Sequence, residues 1–483
     1  MADDLGRAAS RGAGITVIAQ GMRFLLQFGS TVVLARLLLP ADFGLVAMVT
    51  SLTGMAEIIR DFGLSSAAIQ AKTLSDKERS NLFWVNLGVG ATCAALVAAA
   101  EPAIVRFYGR PALGPIVFAL AWLFVISGAN TQFRAELRRG LRFRALALAD
   151  VLSQALSVAV AITMAALGHG YWAIVCQQIT MVVVAFVMNV INSHWRPSWY
   201  TRGLPMRRFF QYASGVLGTQ VLGYTVNNVD NVAIGAVWGT GPLGGYTRAY
   251  QLLMVPINQI NAPLSGVVLP VLSRVQDQPA RFQRYLHRAQ LVNAYLLGLI
   301  FAVGAALAGP VVMILFGPRW SYITPVFVAL AIGGVFRALT QLSYWTFLAL
   351  GETTMQLKQY LWTRPVMIAM ILAGLPWGIT GVAVGHSIAF AWYWYVALRQ
   401  LQARTPVDAR ALMTQAVGCM ALVMAPCALA AYLGSRLVTN PWLQIAVGLS
   451  FAGVCLGVVA ALFRTQRADM GHIVRAVRAS AGM

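Results

Sequence analysis

Several residues place charge or hydrogen-bonding capacity inside stretches that are otherwise apolar. Gln20, Arg23, Gln27 and Ser30 recur at three- and four-residue steps, which puts them along one face of a helix. A charge held within an apolar span costs at least ~2.5 kcal/mol on insertion scales, so such a residue faces a cavity or a partner. Arg337 and Arg364 are in the same position, and Gln341 follows Arg337 by four residues and shares its helical face. A guanidinium presents a fixed fork of N–H donors and stays charged without a proton-dependent switch. Arg23, Arg337 and Arg364 are therefore candidate anion-binding groups. The competing reading gives each a structural partner, a carbonyl or carboxylate, or lets it snorkel to an interface. Arg248 opens a further stripe with Gln251, Asn258 and Ser265, suited either to an anionic headgroup or to interface anchoring.

A second set is uncharged or acidic. Gln220, Tyr224, Asn227 and Asn231 share one helical face with Asp230 beside them, and amides with an aromatic ring suit the hydroxyls of a sugar. The same groups also serve as interhelical hydrogen bonds. Glu57 and Asp230 are the candidate ion-coupling carboxylates, because a carboxylate in a low-dielectric cavity can titrate or bind Na+; Glu57 has Arg60 as an alternative partner. His386 is the one histidine within a span, while the aromatic run Ala391-Trp-Tyr-Trp-Tyr-Val396 reads as an interface belt. No Gly-rich phosphate loop, nucleophile elbow or His/Cys metal cluster is present, so no catalytic residue, metal or cofactor is expected and the chain does not read as an enzyme.

The elements that must position these groups follow from composition. The chain has 483 residues, 59% of them hydrophobic and 11% charged, far below the roughly 25% charged of soluble domains. Apolar runs of about 20 residues recur from end to end. Punctuation by Pro, Gly and charge predicts spans over 14–38, 42–62, 81–106, 113–133, 146–168, 170–192, 209–237, 243–270, 289–316, 322–350, 356–376, 378–398, 411–434 and 441–463. The first, preceded by Arg7 and Arg11, is too long for a signal-peptide core and reads as an uncleaved helix. All five cysteines fall inside apolar stretches as packing residues.

The net charge of +21 raises nucleic acid as a partner, but the distribution argues against it. With a cytoplasmic N-terminus, inner loops, span ends and tails collect about 27 of the 36 Lys and Arg, including Arg134, Arg138, Arg139, Arg142 and Arg144. Arg196, Arg202, Arg207 and Arg208 follow, then Arg274, Arg281, Arg284 and Arg288, while outer loops hold Arg36, Arg106, Arg110, Arg319 and Arg436. Both termini are then cytoplasmic and the span number is even.

An internal repeat organises the spans. Gly114-Pro-Ile-Val-Phe-Ala-Leu-Ala121 resembles Thr324-Pro-Val-Phe-Val-Ala-Leu-Ala331 at a displacement of 210 residues, which also relates Gly168-His-Gly-Tyr-Trp-Ala173 to Gly378-Ile-Thr-Gly-Val-Ala383. Pro40-Ala-Asp-Phe-Gly44 falls opposite Thr240-Gly-Pro-Leu-Gly244 at 200. Six spans per unit keep the two copies parallel. The expected architecture is an all-α polytopic membrane protein of about fourteen transmembrane helices. Lobe 1–200 and lobe 201–400 would face a central cavity, and 401–483 would supply a final helix pair and a basic cytoplasmic tail.

Three stretches, Leu34-Ala-Arg-Leu-Leu-Leu-Pro-Ala-Asp-Phe-Gly44, Val229-Asp-Asn-Val-Ala-Ile-Gly235 and Leu243-Gly-Gly-Tyr-Thr-Arg-Ala-Tyr250 leading into Pro256, resemble the polysaccharide transporter family. That family belongs to the superfamily that also holds multidrug extruders and the peptidoglycan-precursor flippase. The resemblance is nearest to the exopolysaccharide exporters, and it implies alternating-access export of oligosaccharide units on undecaprenyl diphosphate across the inner membrane. For such a substrate the span-embedded candidates divide by chemistry: Arg23, Arg248, Arg337 and Arg364 would meet the diphosphate, and Gln27, Tyr224, Asn227, Asn231, Asn258 and Gln341 the sugar. Membrane lipid, H+ or Na+, and a polysaccharide polymerase or export machinery are the implied partners. A multidrug extruder or peptidoglycan-precursor transporter of the same superfamily is the alternative, with a membrane polymerase or ligase of lipid-linked sugars behind it. Composition alone supports only a polytopic transporter, because fold does not fix substrate.

Overall fold

The computed structural model describes residues 2–60, 75–203, 207–405 and 407–463, with side chains described from Gly14 onward apart from 207–219, 221, 222 and 353. The side chains of Arg7, Arg11, Arg207 and Arg208, and the basic tail beyond Phe463, lie outside the described residues. Every regular element among the described residues is helical. Among the described residues, twelve segments are helical and apolar enough to cross a membrane by length and composition, and one of these, 354–404, contains two helices. The expected spans are thereby present as helices, the span 209–237 corresponding to Arg207–Trp238.

The chain divides into two compact units, Met1–Gly244 and Gly245–Met483. The first contains α1 (Ala2–Leu37), α2 (Pro40–Arg60), α3 (Asp76–Ala99), α4 (Glu101–Tyr108), α5 (Leu113–Arg139), α6 (Phe143–Ala166), α7 (Trp172–Ser193) and α8 (Arg207–Trp238), and ends in the first turn of α9 (Thr240–Arg274). Helix α3 starts on a capping box: Glu78 N–H donates to Ser75 Oγ at 3.3 Å, and Ser75 N–H donates to Glu78 Oε2 at 2.9 Å. Helix α4 stops at Gly109, whose φ of 62° lies in the left-handed region that ends helices. The span expected over 81–106 is thus two helices that meet at Ala100.

Small residues set how closely these helices approach. Gly90 of α3 lies against the Phe124 carbonyl of α5, and Gly128 of α5 lies against the Asn86 carbonyl of α3. A second reciprocal contact joins the two turns that the repeat relates. Gly44 packs on the backbone of Thr240, and Gly244 packs on the carbonyl of Pro40. Each glycine thus lies against the backbone that opens the other helix.

The segment after α7 is strapped to the start of α3. Asn81, fully buried, donates from Nδ2 to the Thr201 carbonyl at 2.7 Å and accepts Thr201 N–H at 2.8 Å; Trp84 Nε1 donates to the Ser198 carbonyl at 2.9 Å and stacks on Trp199. Asn81→Ala leaves a buried N–H and a carbonyl unpaired, at about 1–3 kcal/mol. We expect a lower thermal midpoint in detergent and new proteolysis between Trp195 and Thr201, against unchanged behaviour of Trp199→Ala beyond its lost stack.

The second unit continues α9 and adds α10 (Pro279–Asn293), α11 (Leu299–Ala306), α12 (Ala308–Leu315), α13 (Thr324–Ala349), α14 (Thr353–Ala373), α15 (Gly378–Arg404), α16 (Ala409–Cys419), α17 (Ala425–Ser435) and α18 (Pro441–Leu462). Helix α9 carries Pro256, Pro263 and Pro270 in its interior. Arg281, Arg284 and Arg288, assigned to an inner loop, sit on α10, which extends the ninth span beyond its apolar part. π-helical turns join α10 to α11 at Ala294–Gly298 and α16 to α17 at Met420–Met424. They meet where Gly298 packs on the Met424 side chain. Helix α13 packs on α15, with Ser387 Oγ donating to the Ala329 carbonyl at 2.6 Å beside Gly333. The two-residue polar cap at Asn440, which accepts Trp442 N–H at 2.9 Å ahead of Pro441, starts the last helix.

Candidate functional site

In the first unit the polar face of α1 packs on α6 and α7. Arg23 Nη1 donates to Asp150 Oδ2 at 3.2 Å, and Gln154 Nε2 donates to Gln27 Oε1 at 2.9 Å. The step of four residues from Arg23 to Gln27 on α1 matches the step from Asp150 to Gln154 on α6 in the same sense, so the helices run parallel, as first and fifth spans must. Ser30 accepts from Gln177 Nε2 of α7 at 2.9 Å. Asp150 is held from a second side: Arg134 Nη1 donates to Oδ1 at 2.9 Å and Nη2 to Oδ2 at 2.8 Å, the bidentate fork of an Arg–carboxylate pair. Two guanidiniums on one carboxylate leave an excess of one positive charge, and the Arg23 side chain, 42% exposed, carries the more accessible share of it.

Asp150, Gln154 and Gln177 did not stand out in the sequence, and Arg134 stood out only as a loop charge. The available signal was Asp150 itself, an acid well inside the stretch 146–168 in a chain with 15 acidic residues. Such an acid requires a cationic partner. Elsewhere in this unit Tyr224 directs its hydroxyl at the Thr50 and Ser51 carbonyls of α2, both at 3.0 Å, which is an interhelical hydrogen bond. Asn227 is exposed, Asn231 half-buried, and Asp230 fully buried with Oδ1 accepting the Asn231 N–H at 2.8 Å. Glu57 is exposed on α2.

In the second unit two arginines lie against aromatic rings of α15. Arg337 of α13 donates from Nη1 to the Tyr250 hydroxyl at 2.8 Å, with its guanidinium carbon 5.7 Å from the Tyr250 ring centroid and 4.8 Å from that of Phe390. Arg364 of α14 lies 4.4 Å from the Tyr360 centroid and 4.9 Å from that of Tyr393. Its Nη1 reaches Met367 Sδ at 3.7 Å, and its buried Nε has no hydrogen-bond partner among the described residues. Cation–π contacts of this kind hold a guanidinium in place without neutralising it. His386, Phe390 and Tyr393 recur at steps of four and three along α15, so one helical face serves both arginines; the His386 ring lies 5.6 Å from Tyr250 and 4.7 Å from Phe390.

The aromatic run at 391–396 therefore divides. Tyr393 and Trp394 are buried, Tyr393 beneath Arg364 and Trp394 against Phe336, while Tyr395 faces outward. The interface-belt reading is corrected for the two inward rings, because a helix turns successive residues onto different faces. Helix α14 continues through Pro365, so that proline does not open the backbone into a break. Arg248 Nη1 donates to Gln251 Oε1 at 2.6 Å, Ser265 accepts from Trp345 Nε1 at 2.8 Å, Asn258 is exposed and Gln341 half-buried.

A family model described as "Polysaccharide biosynthesis protein" matches residues 33–325. The chain is a member of the polysaccharide biosynthesis protein family. Relatives agree: it is 23% identical to the lipopolysaccharide biosynthesis protein WzxC of Escherichia coli over 73% of this chain and 72% of that one. It is 25% identical to the succinoglycan biosynthesis transport protein ExoT of Rhizobium meliloti, over 68% of this chain and 66% of that one. Among solved structures it resembles the lipid II flippase MurJ in an inward closed conformation, with a TM-score of 0.73 at 15% identity, covering 92% of this chain and 98% of that one. An inward-facing multidrug resistance transporter of the MATE family follows at TM-score 0.63 and 15% identity, covering 83% and 99%. This polysaccharide biosynthesis protein is thus a multi-pass membrane protein with a transporter fold, and its family is one of transporters rather than enzymes.

Proposed function

We propose that this protein moves oligosaccharide repeat units linked to undecaprenyl diphosphate from the inner to the outer leaflet of the cytoplasmic membrane, by alternating access, for polysaccharide biosynthesis. The observation that carries the reading is the pair of guanidiniums on one aromatic face of α15, Arg337 and Arg364. Held by the Tyr360 and Tyr393 rings and the Met367 sulfur, Arg364 keeps N–H donors for an anion, and a diphosphate is the anionic part of such a lipid. Arg23, in excess over Asp150, supplies the corresponding donor in the first unit, and Arg248 is a further candidate. Gln27, Tyr224, Asn227, Asn231, Asn258 and Gln341 are the polar groups proposed to meet sugar hydroxyls, Tyr224 through its ring because its hydroxyl is engaged by α2. Glu57 and the buried Asp230 are proposed for H+ or Na+ coupling, and both termini are proposed to be cytoplasmic.

Deletion of the gene is expected to accumulate a complete lipid-linked repeat unit on the inner leaflet; normal export without accumulation refutes the proposal. Arg364→Ala, at unchanged membrane abundance, is expected to lower export by about tenfold or more, the scale of losing one charge-assisted hydrogen-bonded contact. Arg364→Lys should recover only part of this, because an ammonium cannot reproduce a planar fork stacked between Tyr360 and Tyr393. Full export by both variants removes Arg364 from the headgroup site.

A further inference from the structure

A cavity of about 1060 Å³ lies within the second unit, between α11, α12, α13, α17 and the start of α18. This is the upper end of the range for small-molecule pockets. Its wall is built from Ala302, Ala305, Ala306, Ala308 and Gly309 on one side and from Val328, Ile332 and Phe336 on another. Small residues on membrane helices normally let a neighbouring helix close in. Here they border open space, and a Cβ built at Gly309 would meet nothing within 4 Å.

The groove has a direction. It runs along α13 from Thr324 to Phe336 and antiparallel along α17 from Met424 to Arg436, about 18 Å on each at 1.5 Å per residue. That is a little over half of a hydrocarbon core of about 30 Å, the depth of one leaflet with its interface. Met313, Ile332, Leu429 and Tyr432 line it and are all more than 40% exposed, so the groove opens sideways rather than only at its end. One charged side chain belongs to the lining, Arg436, at the polar end with Ser321, Ser435 and Gln444. Arg436 Nη2 donates to the Tyr432 hydroxyl at 2.8 Å and its guanidinium carbon lies 5.0 Å from that ring. No carboxylate pairs with it among the described residues. The charge pattern assigns this end to the outer face.

We infer that this groove is a binding site for one anionic phospholipid of the outer leaflet, with an acyl chain along the Ala/Gly wall and the phosphodiester on Arg436. Charge complementarity selects this occupant. A single guanidinium oriented by Tyr432 matches the single negative charge of a phosphodiester, whereas a polyprenyl diphosphate presents more charge than the lining offsets. The site is separate from Arg337 and Arg364, and the inference stands whatever cargo the protein moves.

The test uses the full-length protein in nanodiscs of equal phosphatidylglycerol and phosphatidylethanolamine, extracted and examined by native mass spectrometry. Wild type is expected to retain one phosphatidylglycerol, enriched about tenfold over phosphatidylethanolamine, because both present a phosphodiester but the ethanolamine head adds an ammonium that is repelled by Arg436 and competes for the phosphate. Arg436→Gln should lose the enrichment, and Gly309→Leu, which fills open space without meeting backbone, should lose retention while keeping the wild-type thermal midpoint in detergent. No enrichment in wild type, enrichment unchanged in both variants, or displacement of the retained lipid by undecaprenyl diphosphate in a competition arm overturns the inference. Where Gly309→Leu lowers the thermal midpoint, the Arg436→Gln result alone decides.

Discussion

Replacing Asp150 with Ala is expected to reduce folded protein in the membrane more than replacing either arginine that it holds. The carboxylate is largely buried and accepts three N–H donors from two helices, α1 and α5, while sitting on a third, α6. Removing it leaves two guanidiniums facing each other with no counter-charge, and breaking a buried pair in this way costs about 3–5 kcal/mol. The partial exposure of Arg23 and Arg134 places this case toward the lower end. Arg134→Ala removes the bidentate partner and leaves the longer contact to Arg23, so its effect should be intermediate. Arg23→Ala leaves Asp150 fully engaged by Arg134 and should be the mildest for stability. Fluorescence-detected size exclusion of membrane extracts ranks the three. Equal abundance of the Asp150 and Arg23 variants would refute the arrangement, and because Arg23→Ala is expected to fold, its export separates a transport role from a structural one.

Gly44→Ala and Gly244→Ala are expected to prevent accumulation of folded protein, although each adds a single methyl. The added Cβ at Gly44 would meet the Thr240 carbonyl, and the one at Gly244 would meet the Pro40 carbonyl and Gly44 N. These neighbours are backbone and cannot swing aside, so the first turns of α2 and α9 must separate. Overpacking of this kind costs about 1–3 kcal/mol or more at a single site. Gly88→Ala and Gly453→Ala provide controls, since a Cβ at either meets nothing within 4 Å. The decisive measurement is monodisperse yield with thermal midpoint. A Gly44→Ala protein as stable as the Gly88→Ala control would show that the two turns do not need this approach.

Much of the scaffold was legible from residue order. Recurring apolar runs define the spans because a helix must satisfy its own backbone in lipid. Gly109, Gly168, Gly170 and Gly378, with φ between 53° and 81°, mark turns that the Gly and Pro punctuation had located. Boundaries were less legible: α10 prolongs the ninth span with an arginine-bearing turn, and α3 and α4 divide the third. Hydropathy sees only the apolar part of a helix, whereas hydrogen bonding and caps decide where the helix ends. The polar face of α1 was also legible, since three- and four-residue spacing determines which side chains share a face.

Partner choice was not. Arg23 meets Asp150 across 127 residues and Arg337 meets Tyr250 across 87, and nothing in local sequence sets those registers. Arg23, Arg337 and Arg364 look alike as membrane arginines, yet one is paired with a carboxylate and two lie against aromatic rings. That difference depends on which helix packs beside which, and at what rotation. The sequence by itself determined an all-helical membrane protein and its polar faces, because these follow from local periodicity and composition, while its family was legible only as a resemblance carried by three short stretches. Only the tertiary structure decided which side chains hold each guanidinium and where a void remains between helices, because both arise from side chains that meet across distant spans.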